Sequence, residues 1–313
     1  MYWQKPITPP IPRGGYICMQ NDDGNIGDYT MWFIKAKEKS MYYSSWNPYS
    51  FVSIVSAINS GNIGIGGHKM SALNLREMNS YGVEIVSHGY KHYGLGIHRT
   101  QHETNTGDTA FEVHNIARVG VNREYVITDG TNSENVFVAE KSGNDVILQS
   151  ALQNGYPFES SFYMSEESVK SIHLGKVNEY LQDWGIPETP HHVYTWHANH
   201  GLSIQWLEDA GFESARGNGQ NIIKPNDKVN KYAMPSYGIP SSVWNGDLSW
   251  IDNVIDSVEE SGGLVFLYAH GETSQGAVNA FEHIIDTAIA KGIRFVSHTQ
   301  AVNILEGWGV FAD

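Results

Sequence analysis

Cysteine is nearly absent from this chain: one residue, Cys18, among 313. No intrachain disulfide can form, so compartment is not legible from cysteine pairing. Cys18 sits inside an apolar run and reads as a buried thiol. Basic residues are also few, 20 Lys and Arg against 34 Asp and Glu, for a net charge of −14. No basic stripe is present to release phosphate counterions, which argues against nucleic acid and anionic membrane surfaces as partners. The acidity serves solubility and fits a neutral or partly cationic substrate. No apolar run approaches the roughly eighteen residues of a membrane span. The start of the chain has four prolines, Pro6, Pro9, Pro10 and Pro12, and no apolar core of the kind a secretory signal needs.

What is present is an alternation of short apolar runs with helical patterns. Residues 1–14 read as an extended arm. A strand follows at Tyr16–Gln20, a helix at Asp28–Ser40 with Asp28 as its cap, a strand at Met41–Tyr43 and a helix at Tyr49–Ile58. Ser71–Ser80 is a helix ended by Gly82, and Val83–Val86 a strand. Residues 107–152 change character. Short alternating pieces (Phe111–Val113, Tyr125–Ile127, Val136–Val138, Val146–Leu148) are divided by turn signals, which predicts a small antiparallel β insertion. Beyond Ser165 a helix runs to Trp184. Strands are then predicted at Val193–Trp196, Phe212–Ala215, Leu264–Tyr268 and Ile293–Val296. Helices are predicted at Ser203–Ala210, Ser249–Glu260, Ala277–Lys291 and Gln300–Leu305. Outside the insertion the order is mostly βα, which predicts a parallel sheet. The expected organisation is an arm over 1–14, an α/β domain over 15–106 and 153–313, and a β-rich insertion over 107–152.

Three strand ends carry chemistry. Asp22-Asp23-Gly24 follows the first strand, His88-Gly89-Tyr90-Lys91-His92 follows Val83–Val86, and His270 follows Leu264–Tyr268. In parallel α/β proteins, sites are built at the C-terminal ends of strands. Each piece has an ordinary reading: Asp-Asp-Gly is commonly a turn, and a solitary histidine a satisfied polar group. Their joint placement shifts the reading to a site. Neighbouring carboxylates point different ways, so one can bind a metal while the other faces a reacting water. If 88–92 forms a helical turn, both imidazoles share a face. Asp23, His88 and His92 then make a one-oxygen, two-nitrogen ligand set, with Asp22 as base and His270 as acid. His98 and His102 share the same spacing and are the competing metal pair. His191, His192 and His283 read as structural.

These residues, in this order, resemble the polysaccharide deacetylase family (the NodB homology domain, carbohydrate esterase family four). Gln20-Asn21-Asp22-Asp23-Gly24 stands for the family's Thr-Phe-Asp-Asp-Gly, His88-Gly89-Tyr90-Lys91-His92 for its His-Ser/Thr-x-x-His, and Tyr268-Ala269-His270 for its Leu-x-His. Gly82-Val83-Glu84-Ile85 matches the strand that precedes the second motif. The resemblance covers about residues 15–105 and 155–306 and implies a distorted (β/α) barrel of about seven strands. It implies Asp22 as catalytic base, Asp23, His88 and His92 as ligands of one divalent metal, and His270 as general acid. Where the family has Arg-x-Pro-Tyr, this chain has Thr195-Trp196-His197-Ala198-Asn199-His200. The arginine that steers the base has no counterpart there, His197 stands in its place, and the N–H near His200 is the expected oxyanion donor. Asp247 and Trp250 stand for the family's Asp-and-Trp motif, and Trp196, Trp244, Trp250 and Tyr237 are candidates to stack on sugar rings.

The expected activity is metal-dependent removal of N-acetyl, or O-acetyl, groups from a polysaccharide or oligosaccharide, with zinc as the metal suited to mixed nitrogen and oxygen ligands. The alternatives are a catalytically weak glycan-binding or structural module on the same fold, and hydrolysis of a non-sugar amide. The expected partner is an acetylated glycan, and the expected location extracellular, cell-surface or virion-associated. Nothing in the sequence addresses oligomeric state.

Overall fold

Strands buried on both faces read as continuous apolar runs, and strands of this kind form the centre of the molecule. A computed structural model describes residues 14–44, 54–217 and 219–311. All but Gly14 of the proline-rich arm lies outside these residues. In chain order the first elements are β1 (Tyr16–Asn21), α1 (Ile34–Ser44), β2 (Ile54–Ile58), α2 (Ala72–Ser80) and β3 (Glu84–Ser87). Six strands follow: β4 (His98–Arg99), β5 (Ala110–Glu112), β6 (Arg123–Thr128), β7 (Ser133–Ser142), β8 (Asp145–Leu148) and β9 (Ser161–Met164). Then come α3 (Gly175–Asp183), β10 (His191–Val193), α4 (Gly201–Asp209), β11 (Ser214–Arg216), β12 (Tyr237–Gly238) and α5 (Ser241–Trp244). The chain continues with α6 (Ser249–Ser261), β13 (Leu264–Ala269), α7 (Gln275–Ala290), β14 (Arg294–Phe295) and α8 (His298–Gly307). Two π-helical segments, Asp28–Phe33 and Ser168–Leu174, lead into α1 and α3.

The main sheet has the order β11-β10-β3-β2-β1-β13-β12, with β14 also on β1, and every pairing is parallel. It curls into a half-barrel, in keeping with the distorted barrel that the family resemblance implies. Period-2 alternation divides its side chains between two cores. Cys18, Val55, Ala57, Val86, Val193, Leu264 and Phe266 fill the inside, plugged by Val302 and Leu305 of α8. Ile17, Met19, Ile54, Ile58, Val265 and Leu267 pack outward against Phe33, Val177, Ile255 and Phe281 of the helical layer. Met234, just before β12, bridges to Arg216 at the end of β11, so the two sheet edges approach each other there.

The antiparallel sheet, β4-β9-β6-β7-β8-β5, reaches beyond residues 107–152 on both sides. Strand β9 pairs with both β4 and β6, so segments entering and leaving the insertion close its edge. Its core of Phe111, Tyr125, Val146 and Phe162 continues into Trp206 and Leu207 of α4.

Four local expectations fail. Met41–Tyr43 is the last turn of α1 and not a strand, with Met41 and Tyr42 facing solvent. Three apolar residues are too short a run to separate the two periodicities. The helix expected at Tyr49–Ile58 begins outside the described residues, and its end is β2, whose five residues are all buried. The strands expected at Val193–Trp196 and Phe212–Ala215 are shifted, to His191–Val193 and Ser214–Arg216. The second shift places an arginine at a strand's C-terminal end.

Candidate metal centre and active site

The site forms where β1, β3, β10, β11 and β13 end. Asp22 prolongs β1, its N–H donating to the Ala269 carbonyl at 2.9 Å. Asp23 and Gly24 then take left-handed φ values of 77° and 63°, which turn the chain and separate the two carboxylates. After β3 the chain does not coil into the helical turn that the histidine spacing suggests. Residues 88–90 stay paired with 58–61: His88 N–H donates to Ile58 at 2.8 Å, and the Gly89 carbonyl accepts from Ser60 at 3.2 Å. Left-handed Gly89 (φ 81°) then bends the loop. The two imidazoles meet through this bend, with ring centroids 5.4 Å apart.

Asp23 Oδ1 lies 3.4 Å from His88 Nε2 and 3.1 Å from His92 Nε2. The three ligand atoms lie within 4.8 Å of one another, and among the described residues this is the one such group of three. Asp23 Oδ1 is buried without a geometrically sound hydrogen bond. His88 Nδ1 lies 2.8 Å from the Val193 carbonyl. A carbonyl only accepts, so Nδ1 carries a proton, and Nε2 is the nitrogen turned toward Asp23 and available to a cation. Burial raises the Asp23 carboxyl, but His88 and His92 outweigh it and hold the group well below the usual carboxylate range. An ionised carboxylate and two imidazoles, all converging, fit one divalent cation.

Gly89, where the family has a hydroxyl residue, is required by its neighbour. A Cβ there would run into the His173 ring. His173 comes from the second π-helical segment, is buried with both ring nitrogens unpartnered, and is pushed down to about 3 by burial. Gly89→Ser is expected to cost about 2–4 kcal/mol, from overpacking plus a strained φ. Urea unfolding measures it, and adding His173→Ala should return the overpacking share.

Asp22 is buried and its Oδ2 accepts from Arg216 Nη2, itself fully buried. An arginine therefore does pair with Asp22, delivered by β11 and not by the segment 195–200. The sequence signal was an arginine directly after a run already read as a strand. Arg216 stacks over Tyr268 at 4.6 Å. The Tyr268 hydroxyl and His197 Nε2 are 2.8 Å apart, and His197 Nδ1 lies 3.1 Å from the Gly217 carbonyl. Gly217 fixes the tautomer, so the phenol donates to Nε2. His197, pushed down to about 4 by burial and then by Arg216, is neutral. Its contacts are to Gly217 and Tyr268, and Tyr268 in turn lies under the Arg216 guanidinium. Asp22 Oδ1 and Arg216 Nε and Nη1 have no protein partner.

The remaining candidates divide. His270 is exposed and follows β13 in register beside Asp22, its ring 5.8 Å from Tyr268. Trp196 is 44% exposed, holds a left-handed φ of 57°, and lies 4.7 Å from the His92 ring. The backbone N–H of His200 is not a free oxyanion donor: it donates to Ser203 Oγ at 2.8 Å, and the His200 ring packs on Tyr163 and Trp206. A helix start consumed the donor. Trp250 and Tyr237 pack on each other in the outer layer, and Trp244 is buried against Trp32. Asp247 caps Ser249. His98 and His102 do not converge: His98 lies 3.2 Å from the His114 carbonyl, while exposed His102 pairs with Glu112, because β4 leaves no helical face for the spacing to act on.

Solved structures share this architecture. A protein assigned as a polysaccharide deacetylase from Mycobacterium smegmatis gives a TM-score of 0.53 at 12% identity, over 98% of this chain and 96% of its own. The chitin deacetylase of the fungal pathogen Colletotrichum lindemuthianum gives 0.50 at 12% identity, over 92% and 87%. No protein-family model and no curated protein matches the chain. In its curled parallel sheet, with chemistry-bearing residues gathered at the strand ends, the chain has the polysaccharide deacetylase fold.

Proposed function

We propose that this protein is a metal-dependent hydrolase that removes acetyl groups from an N-acetylated glycan. One observation carries the reading: Asp23, His88 and His92 converge beside a second carboxylate, Asp22, that is held by a buried arginine. A divalent cation held by the three ligands, zinc by the nitrogen and oxygen chemistry of the set, supplies Lewis acidity toward the acetyl carbonyl and acidifies water. Asp22 accepts the proton of the attacking water through Oδ1, the oxygen that Arg216 leaves free. Arg216 compensates the buried charge of Asp22 and fixes its orientation. His270, exposed at the rim, gives a proton to the departing amine. Such substrates lie outside cells or on particle surfaces, and we place the protein's work there.

The test is acetate release from an N-acetylglucosamine hexamer. Treatment with EDTA should reduce release to background, and added zinc should restore it. Release that persists in metal-free protein refutes the reading.

A further inference from the structure

Some of the chain's cations sit on carboxylates, among them Lys35, Lys39, Lys170, Lys231 and Lys291. Others do not, and four of these gather around the ligand loop. Lys91, Arg118, Arg123 and Lys176 are half-buried, and none has a carboxylate partner among the described residues. They lie over aromatic rings instead. Arg118 is 5.5 Å from the Trp196 ring, and Arg123 is 5.7 Å from Tyr90 and 5.9 Å from Tyr93. Lys176 and Lys91 lie 5.3 and 5.8 Å from Tyr90.

Two of these rings, Tyr90 and Tyr93, belong to the loop that carries the candidate ligands. Tyr90 stands between His88 and His92 in the ligand loop, and Trp196 packs on His92. The cations arrive from three separate places: the approach to β6, the first turn of α3 and the ligand loop itself. The antiparallel sheet thereby reaches the site, with the Gly94 N–H donating to the Arg118 carbonyl at 3.0 Å. Four like charges close together repel one another, and none of the four forms an ion pair among the described residues. A positive rim on a chain of net charge −14 attracts anions locally while the rest of the surface repels them. Trp196 adds an exposed ring on a strained backbone, a feature that concentrates at ligand clamps.

We propose that this rim binds the carboxylates of an acidic glycan, so that the acetylated polymer reaching the site carries negative charge on some of its sugars. The proposal rests on the glycan reading of the site and replaces the neutral or cationic substrate that net charge suggests. Nucleic acid is disfavoured, because its dense charge meets the whole −14 surface and not only the rim.

The probes are a hyaluronan octasaccharide, which alternates glucuronate with N-acetylglucosamine, a neutral N-acetylglucosamine hexamer and an oligothymidylate. Titration calorimetry with zinc-loaded protein at roughly 20 and 300 mM NaCl should show hyaluronan binding about ten-fold tighter than the neutral hexamer at low salt, with the advantage shrinking at high salt. The Arg118→Gln/Arg123→Gln variant should remove most of that advantage, with circular dichroism and zinc content reporting that the fold is intact. Lys91→Gln/Lys176→Gln should act in the same direction, should the first pair fail to fold. Equal affinity for the two sugars, binding of neither, an advantage unchanged in folded variants, or oligothymidylate binding as tight as hyaluronan would each overturn the proposal. Selective hyaluronan binding without acetate release from any substrate sinks only the hydrolase reading; release without selectivity sinks only this one.

Discussion

Purified His88→Ala protein is expected to carry no stoichiometric zinc and to release no acetate above background. The reason is geometric. His88 is the candidate ligand with a neighbour on each ring nitrogen, the Val193 carbonyl at Nδ1 and Asp23 beyond Nε2. Removing it leaves one carboxylate and one more exposed imidazole, too few groups for a closed ligand set. Losing a residue that only hydrogen-bonds to a ligand typically changes metal affinity by about 10–100-fold, and loss of a ligand should exceed that. Elemental analysis after dialysis reads the metal directly. A His88→Ala protein that keeps one zinc per chain would show that the ion, if bound, lies elsewhere.

Asp22→Asn is expected to separate chemistry from binding. Asparagine keeps the size of the side chain and an oxygen for Arg216 but cannot take a proton. Zinc content should stay at one per chain, while acetate release falls by about 10²–10⁴-fold, the usual contribution of a positioned base. Undiminished turnover would remove Asp22 from its proposed role. The same pair gives the largest expected stability effect. Arg216→Met leaves a buried carboxylate without its partner and should cost about 3–5 kcal/mol in urea unfolding. Arg216→Met/Asp22→Asn should recover much of that loss, because the uncompensated charge is gone; the double-mutant cycle measures the coupling. A double variant no more stable than Arg216→Met would mean that the arginine acts through packing on Tyr268 and not through Asp22.

Legibility differed by element. β1 and β13 were readable because both are continuous apolar runs followed by a polar cluster, and their register sets Asp22 beside His270. The candidate ligands were readable for the same reason, although no helical turn forms at 88–92 and strand-like pairing with 58–61 brings the histidines together instead. Arg216 was not readable as a partner of Asp22. The two are 194 residues apart, and a shift of strand β11 by one or two positions decides whether the arginine faces the site. Exposed aromatics were also ambiguous. Of Trp196, Trp244, Trp250 and Tyr237, only Trp196 lies against a candidate ligand. The others pack in the outer layer, which hydrophobicity alone does not separate from a binding surface.

By itself the sequence determined the parallel α/β class, the antiparallel insertion and the strand ends that hold Asp22, Asp23, His88, His92 and His270. Those are local properties, written in period-2 runs and the turn residues that follow them. Only the tertiary structure decided that Arg216 holds Asp22, that His173 demands glycine at 89, that the His200 N–H is already spent, and that four unpaired cations gather around the ligand loop. Each of these depends on which distant segments share a small space, and curling the sheet fixes that through packing and charge compensation between residues with no sequence proximity.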